Sequence, residues 1–413
     1  MNQIWSGFTA GLIIASAMSM QPMAAQDKKE NDKKSETVIV GGTPSTPLTF
    51  APADSTAERT VIAGGQTIPY RAIAGTLTVG SNDVQDAMLG PDGKALPSNG
   101  ETLPDQATAR MFYVAYFNKE AGARRPITFI YNGGPGGASL LLHMGAFGPR
   151  RVVVPDGQLD PGAPYNIINN DYTLLDVSDI VFVDAPGTGF GRIMGPGKET
   201  AFWGNDPDTH AFERFIRRFL NKYNKWNSPK YLLGESYGTL RNAMLAANLQ
   251  DVRFNGLIML SQILDFDNNA DGQQFDPGPE QAYALALPTY AAIAFYHHKL
   301  QSQPAELEPF LDEVKQYALG EYMSALLQGS QLTDARKQAV AEKLHDYTGL
   351  SLAFLLKANL RVRAGVFMKT LLSDNETTTG RLDARYKGLG RTDSNRQPPS
   401  FLWLARSASP FVG

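Results

Sequence analysis

Cysteine is absent from the 413 residues, which excludes disulfides, thiolate nucleophiles and thiolate zinc sites. Histidine is scarce at five residues, so few side chains are available as a general base near neutral pH. Neither charge dominates: 38 basic and 41 acidic residues leave a formal net charge of -3. Without a global basic field to hold phosphate backbones or anionic membranes, nucleic acid is not the expected partner. Long apolar runs are lacking beyond the N-terminus. No pattern implies a metal or an organic cofactor. What is present is an ordinary globular composition, long enough for one large core or two domains.

The N-terminal exception runs from Gly7 to Met20 and is followed by small residues, Ala24 and Ala25, and then by charge. This is the layout of a secretory signal, residues 1–25, cleaved near Ala25, and it places the mature chain in the periplasm or outside the cell. The run is short and contains glycine, and its start carries no Lys or Arg, so an uncleaved anchor or a buried helix is the alternative. Residues 26–58 are charged and then rich in Pro, Thr, Ser and Gly, with few bulky apolar groups to offset the entropy of ordering. They are expected to form a flexible linker.

From residue 59 to 266 the pattern is that of an α/β core. Tyr70 to Val79 and Ala109 to Phe117 alternate as antiparallel strands do. Ile127 to Tyr131, Ile180 to Val183, Tyr231 to Leu233 and Leu257 to Leu260 are continuous apolar runs, the composition of strands covered on both faces. Between them Phe212, Phe215, Ile216, Phe219, Leu220 and Tyr223 recur at helical spacing, with Asp206 as the expected N-cap and Pro207 in the first turn. Strands alternating with helices predict a mostly parallel sheet. Residues 267–372 are helical, over Gln281 to Leu300, Glu306 to Leu327 and Thr333 to Leu360, and read as a cap inserted on that sheet. No internal repeat is present.

Pro229 to Thr239 contains strand, Gly-Glu-Ser-Tyr-Gly turn and helix start in succession. A sharp strand-to-helix turn leaves no room beside the nucleophile, hence Gly234 and Gly238, and it forces Ser236 into strained angles that expose its oxygen. The amide of Tyr237 then faces a developing oxyanion at a helix N-terminus. Asn132-Gly-Gly-Pro-Gly-Gly-Ala-Ser139 follows a buried strand and supplies the further amides such a site requires. A phosphate loop is the rival reading, but the Lys-Ser/Thr ending is missing. A plain tight turn is the simplest alternative.

Asn132-Gly-Gly-Pro-Gly, Gly148-Pro149, Asp184-Ala-Pro-Gly-Thr-Gly-Phe190 and Gly234-Glu-Ser-Tyr-Gly238 stand in the order and spacing of the serine carboxypeptidase family, which the chain resembles from about Arg59 to about Gly388. The resemblance implies an α/β-hydrolase fold with a helical insertion, and release of C-terminal residues from peptides through an acyl-enzyme. By it, Ser236 is the nucleophile, Gly134 and Tyr237 provide oxyanion amides, and Asn132 and Glu235 hold the substrate's terminal carboxylate. A carboxyl group hydrogen-bonds a carboxylate only when the two share a proton, so such binding favours acidic pH. Local pairing at the turn is the plainer role for Glu235. Ala146 stands where the family usually carries a second carboxylate-binding glutamate, and Gly137 where it commonly has a half-cystine. The first departure leaves an esterase or acyltransferase reading open.

Hydrolysis also needs a base, and in this fold the order is Ser, then Asp, then His. His143 and His210 precede Ser236, while His297, His298 and His345 lie in the helical region. His297 and His298 follow an apolar helical stretch, where surface or local bonding is the default. No base or acid is therefore found by position, and a non-catalytic peptide-binding protein is a third reading. Residues 373–413 are expected to be an incomplete C-terminal segment: Gly380 to Gly388 still resembles the family, whereas Leu389 to Gly413 shows neither strand pattern nor histidine. An altered reading frame near residue 389 is one expectation, and an exposed edge at Leu257 to Leu260, with poor solubility, is another.

Overall fold

The computed structural model describes residues 54–389 except 91–95, 97–106, 123, 158–162, 199, 264, 267 and 269–277. The expected signal segment, most of the expected linker and the tail after residue 389 lie outside the described residues.

The first strand, β1 (Ser55–Ala63), opens inside the stretch assigned to the linker. The reason is its partner: β1 pairs antiparallel with β2 (Gln66–Gly80) along its whole length, from Ser55 opposite Ala74 to Ala63 opposite Gln66. Gly64 and Gly65, both at positive φ, make the two-residue turn between them, a hairpin signal that composition alone obscured. After a short helix α1 (Asp83–Ala87), β3 (Thr108–Asn118) continues the antiparallel ladder. Its alternation is strict, with Ala109, Met111, Tyr113, Ala115 and Phe117 buried.

The continuous apolar runs form the middle of the sheet. β4 (Ile127–Tyr131) is buried throughout. Beyond it come the short helix α2 (Leu140–Leu142) and a hairpin of β5 (Arg150–Val152) with β6 (Ile167–Asn169). β7 (Asp179–Val183) is again wholly buried, and the short β8 (Arg192–Met194) pairs back onto β3. Then follow α3 (Asn205–Lys222), β9 (Lys230–Glu235), α4 (Tyr237–Asn248) and β10 (Gly256–Leu260). The sheet order is β1-β2-β3-β7-β4-β9-β10. It is a mixed sheet of the α/β-hydrolase class, parallel across its β7-β4-β9-β10 portion. Phe212, Phe215, Ile216 and Phe219 of α3 are fully buried within the main core cluster, as their spacing predicts. The helix differs from expectation at its start: Gly204, not Asp206, is the N-cap, and Asp206 sits in the first turn.

β10 departs from the doubly covered strand that its composition suggests. Among the described residues β9 is its only strand partner, and Leu257, Ile258 and Leu260 are 37–43% exposed. Among the described residues it is the sheet's edge, in line with the second expectation drawn from the same run.

The helical region has its own core. α5 (Gln281–Tyr296), α6 (Leu307–Tyr317), α7 (Met323–Gln328), α8 (Asp334–Thr348), α9 (Leu352–Lys357) and α10 (Ala364–Thr370) bury Tyr290 face to face with Phe367, at 4.2 Å between ring centroids. After them β11 (Thr377–Thr379) and β12 (Lys387–Leu389) form a small hairpin that the sequence pattern did not show. Among the described residues no helix is long and apolar enough to cross a membrane.

Candidate active site

β7, β4 and β9 are neighbouring parallel strands, so their C-terminal ends open at the same edge of the sheet. This brings together the loops after Val183, Tyr131 and Glu235, segments some fifty residues apart in sequence. In open α/β sheets this is the edge where ligands bind.

Ser236 stands between β9 and α4 with φ 57° and ψ -122°. For a residue with a side chain this conformation costs about 1–3 kcal/mol. It is held by its amide, which donates to Leu260 O at 2.9 Å, and by its carbonyl, which accepts from Thr239 Oγ1 at 2.7 Å. The turn is too tight for side chains on either flank: a methyl placed on Gly234 would meet Gly238 O at 2.1 Å. The Asn132 loop presses equally closely, since a methyl on Gly133 would lie 2.4 Å from Tyr237 N. The two segments expected to supply oxyanion amides are thus in backbone contact. Gly134 is exposed, at φ 118°.

Asn132 and Glu235, expected to bind a carboxylate, are brought together. Asn132 Nδ2 donates to Glu235 Oε2 at 3.1 Å, and the Gly133 amide donates to the same oxygen at 3.3 Å. Asn132 is buried and oriented on its other sides, with Oδ1 accepting from the Leu142 amide at 3.3 Å. The third loop is fastened by Asp184, a buried carboxylate that accepts from Ser139 N at 2.8 Å, Ser139 Oγ at 2.7 Å and Phe190 N at 3.3 Å. Burial raises its pKa from the ordinary value, while the bonds from Ser139 and Phe190 act the other way.

Sequence reasoning missed Arg241. It is fully buried one helical turn past the nucleophile, and forms a two-pronged pair with Asp208 of α3 at 2.7 and 3.0 Å. Its Nη1 donates to Asn132 O at 3.2 Å, and its guanidinium lies over the rings of Phe212, Tyr131 and Tyr237 at 4.1, 5.0 and 5.3 Å. Burial opposes its charge, but Asp208 and the two tyrosines outweigh this and its pKa stands above the usual value. An arginine five residues after Ser236, on the face toward the preceding helix, was the available signal. Tyr237 is fixed as well: its hydroxyl donates to Asn205 Oδ1 at 2.9 Å, and burial raises the phenol to about 12.

The histidines are engaged elsewhere. His143 bonds the Tyr116 hydroxyl at 2.7 Å through Nε2 and stacks on Phe182 at 4.4 Å, and burial lowers its pKa to about 4. His297 ends α5 and bonds Ala384 O at 2.7 Å through Nε2, with burial lowering its pKa. His345 bonds Leu350 O and Gln301 Nε2, each at 2.6 Å. His210 and His298 are exposed. None of the five is hydrogen-bonded to Ser236, and among the described residues no group of acidic and histidine side chains could hold a metal ion.

Residues 102–261 match the serine carboxypeptidase family. No curated protein matches the chain. Among solved structures, Kex1, a prohormone-processing carboxypeptidase from Saccharomyces cerevisiae, is 16% identical with a TM-score of 0.38, over 68% of this chain and 53% of that one. The peroxisomal α/β-hydrolase Lpx1 from the same yeast is 10% identical with a TM-score of 0.29, over 53% of this chain and 52% of that one. Juvenile hormone epoxide hydrolase from the silkworm Bombyx mori is 14% identical with a TM-score of 0.26, over 70% of this chain and 50% of that one. The chain therefore spans about half the length of these solved structures.

Proposed function

We propose that this chain is a serine carboxypeptidase-like protein that holds a peptide by its terminal carboxylate at Asn132 and Glu235 and presents Ser236 to the last peptide bond. The observation that carries the reading is the 3.1 Å bond between Asn132 and Glu235, one residue before a serine held at φ 57°. Acyl transfer proceeds by attack of Ser236 Oγ on the carbonyl carbon, with its proton passing to a base. The oxyanion forms toward the amides of Gly134 and Tyr237. The C–N bond then breaks, the amine leaves with a proton, and water hydrolyses the acyl-enzyme.

Binding needs only the residues that converge at the elbow, whereas turnover needs the base. With no histidine bonded to Ser236, we expect peptide binding with slow turnover. The test is a peptide with a free C-terminus against its C-terminal amide. Tighter binding of the free form, strengthening as pH falls and lost in Asn132→Ala, is expected. Equal binding of both would refute carboxylate recognition. A second reading, an esterase or acyltransferase, is favoured by Ala146, whose side chain brings no carboxyl to the site. Faster acylation of Ser236 by an uncharged ester than by a free-carboxylate peptide would select it. In either reading the chain is exported, and a mature protein that begins near Gln26 is the expected result of N-terminal sequencing. An intact Met1 on the exported protein would refute cleavage there.

A further inference from the structure

The edge of the sheet away from Ser236, where β3 ends and β7 begins, carries a cavity of about 330 Å³. None of the residues placed at the elbow lines it. Antiparallel register sets Glu58 of β1 opposite Arg71 of β2, and Arg71 in turn opposite Phe117 of β3. Directly opposed residues share a face, so these three stand in one row. All three line the cavity, together with Lys119, Asp179 and, just past α3, Lys225.

Charge is arranged here as two carboxylates, each facing two cations. Glu58 pairs with Lys119 at 2.7 Å, and its cross-strand neighbour Arg71 is the second cation. The bond and charge of Lys119, and less strongly the charge of Arg71, hold the Glu58 carboxyl below its ordinary value. Asp179, only 2% exposed, pairs with Lys225 at 2.8 Å and lies 3.4 Å from Arg125 Nε. Each group therefore keeps one positive charge that its own carboxylate does not offset. Further acids do not restore the balance, since Asp54 is matched by Lys222 at 2.7 Å and Glu120 does not line the cavity. One ring joins the two groups: the Arg71 guanidinium lies 5.7 Å from the centre of Phe117, and Lys225 Nζ 5.5 Å from it. Among the described residues Arg71 makes no hydrogen bond or ion pair of its own.

We propose that this cavity binds a short aliphatic dicarboxylate, one carboxylate at Arg71 and the other at Lys225, with its carbon chain against Phe117. Two surplus charges in separate groups match two singly charged ends better than one multiply charged centre. The guanidinium fork of Arg71 fits a carboxylate, and an apolar spacer suits the ring between. The volume is at the small end of ligand pockets, roughly 300–1,000 Å³, which limits the spacer to a few carbons. The site is independent of the function proposed for the elbow. Its occupancy stabilises the folded chain by mass action.

Isothermal titration calorimetry of the full chain with succinate, its half-amide succinamate and inorganic phosphate, near neutral pH and at one ionic strength, tests this. Succinate is expected to bind about tenfold more tightly than succinamate, the worth of one further charge-assisted contact. Arg71→Gln, which breaks no ion pair, should bring succinate down to the succinamate level. Glu58→Gln leaves a further cation unopposed and should tighten succinate binding severalfold, a gain that misfolding cannot imitate. No binding of succinate, equal binding of succinamate, or indifference to Arg71→Gln overturns the proposal. So does a Glu58→Gln variant that melts like the wild type and binds no better. Phosphate binding tighter than succinate would reveal a single convergent anion site and also overturn it. Because the elbow is itself proposed to take a carboxylate, the titration is repeated in Asn132→Ala. Binding kept in that variant supports the far cavity; binding lost in it puts succinate at the elbow and overturns the assignment.

Discussion

The polar groups around Ser236 and the five histidines of the same chain behave in opposite ways. Asn132 meets Glu235, Asp184 holds Ser139 of the Asn132 loop, and the Asp208–Arg241 pair of α3 and α4 bonds Asn132 O from behind. His143, His297 and His345 are each bonded to a partner other than Ser236, and His210 and His298 face solvent. Among the described residues these groups brace the elbow, and none of the five histidines is hydrogen-bonded to Ser236. Holding a strained turn and its flanking loops in place is thus a separate structural problem from placing an imidazole beside it, and different residues are engaged in each.

The largest expected effect breaks this comparison directly. If no base acts on Ser236, ester hydrolysis by the chain should exceed the water reaction by at most about 10³–10⁴-fold, the residue of oxyanion and binding contributions. Added imidazole should accelerate it, and Ser236→Ala should abolish the imidazole effect. Efficient turnover without imidazole, lost in Ser236→Ala and in one histidine variant, would show that a histidine does reach the serine.

The next effect concerns the support behind the elbow. Arg241→Ala leaves Asp208 as an uncompensated buried charge, with an expected cost of about 3–5 kcal/mol in urea unfolding. Arg241→Met combined with Asp208→Leu should cost far less, because both charges are removed together. A loss below 1 kcal/mol for Arg241→Ala alone would mean that the pair does not brace the site.

His143 sharpens the other half of the comparison. Its pKa is about 4 in the folded chain against about 6.5 unfolded, so between these values the unfolded chain binds the extra proton. Stability from its neutral ring is complete above pH 6.5 and is lost as pH falls toward 4, by at most about 3 kcal/mol. Urea midpoints for the wild type and His143→Gln should diverge above pH 6.5 and approach each other near pH 4. Parallel curves would contradict its neutral packing between Tyr116 and Phe182.

The smallest effect is on stability but the most visible in solution. Ile258→Lys on the exposed edge should change unfolding free energy by under about 0.5 kcal/mol while raising the concentration at which light scattering detects association. Unchanged scattering would show that β10 is not the adhesive edge.

Much of this was legible in the residues. The strictly alternating run at Ala109 to Phe117 and the aromatic repeat of α3 report burial through periodicity, and the Gly-x-Ser-x-Gly turn reports its strain through glycines that nothing else could replace. Arg241 was illegible because a buried arginine looks like a solvated one until its partner, thirty-three residues earlier, is in place. The β10 run was ambiguous for a related reason: Leu257 to Leu260 has the composition of a covered strand, yet coverage belongs to the neighbours. By itself the sequence determined the strained turn at Ser236, the proposed nucleophile, the loops that flank it and the scarcity of histidine, since these depend on local backbone demands and on counting. Only the tertiary structure decided that Asn132 meets Glu235 and that Arg241 closes over Asn132. The physical reason is the parallel register of β7, β4 and β9, which brings distant segments to one edge of the sheet.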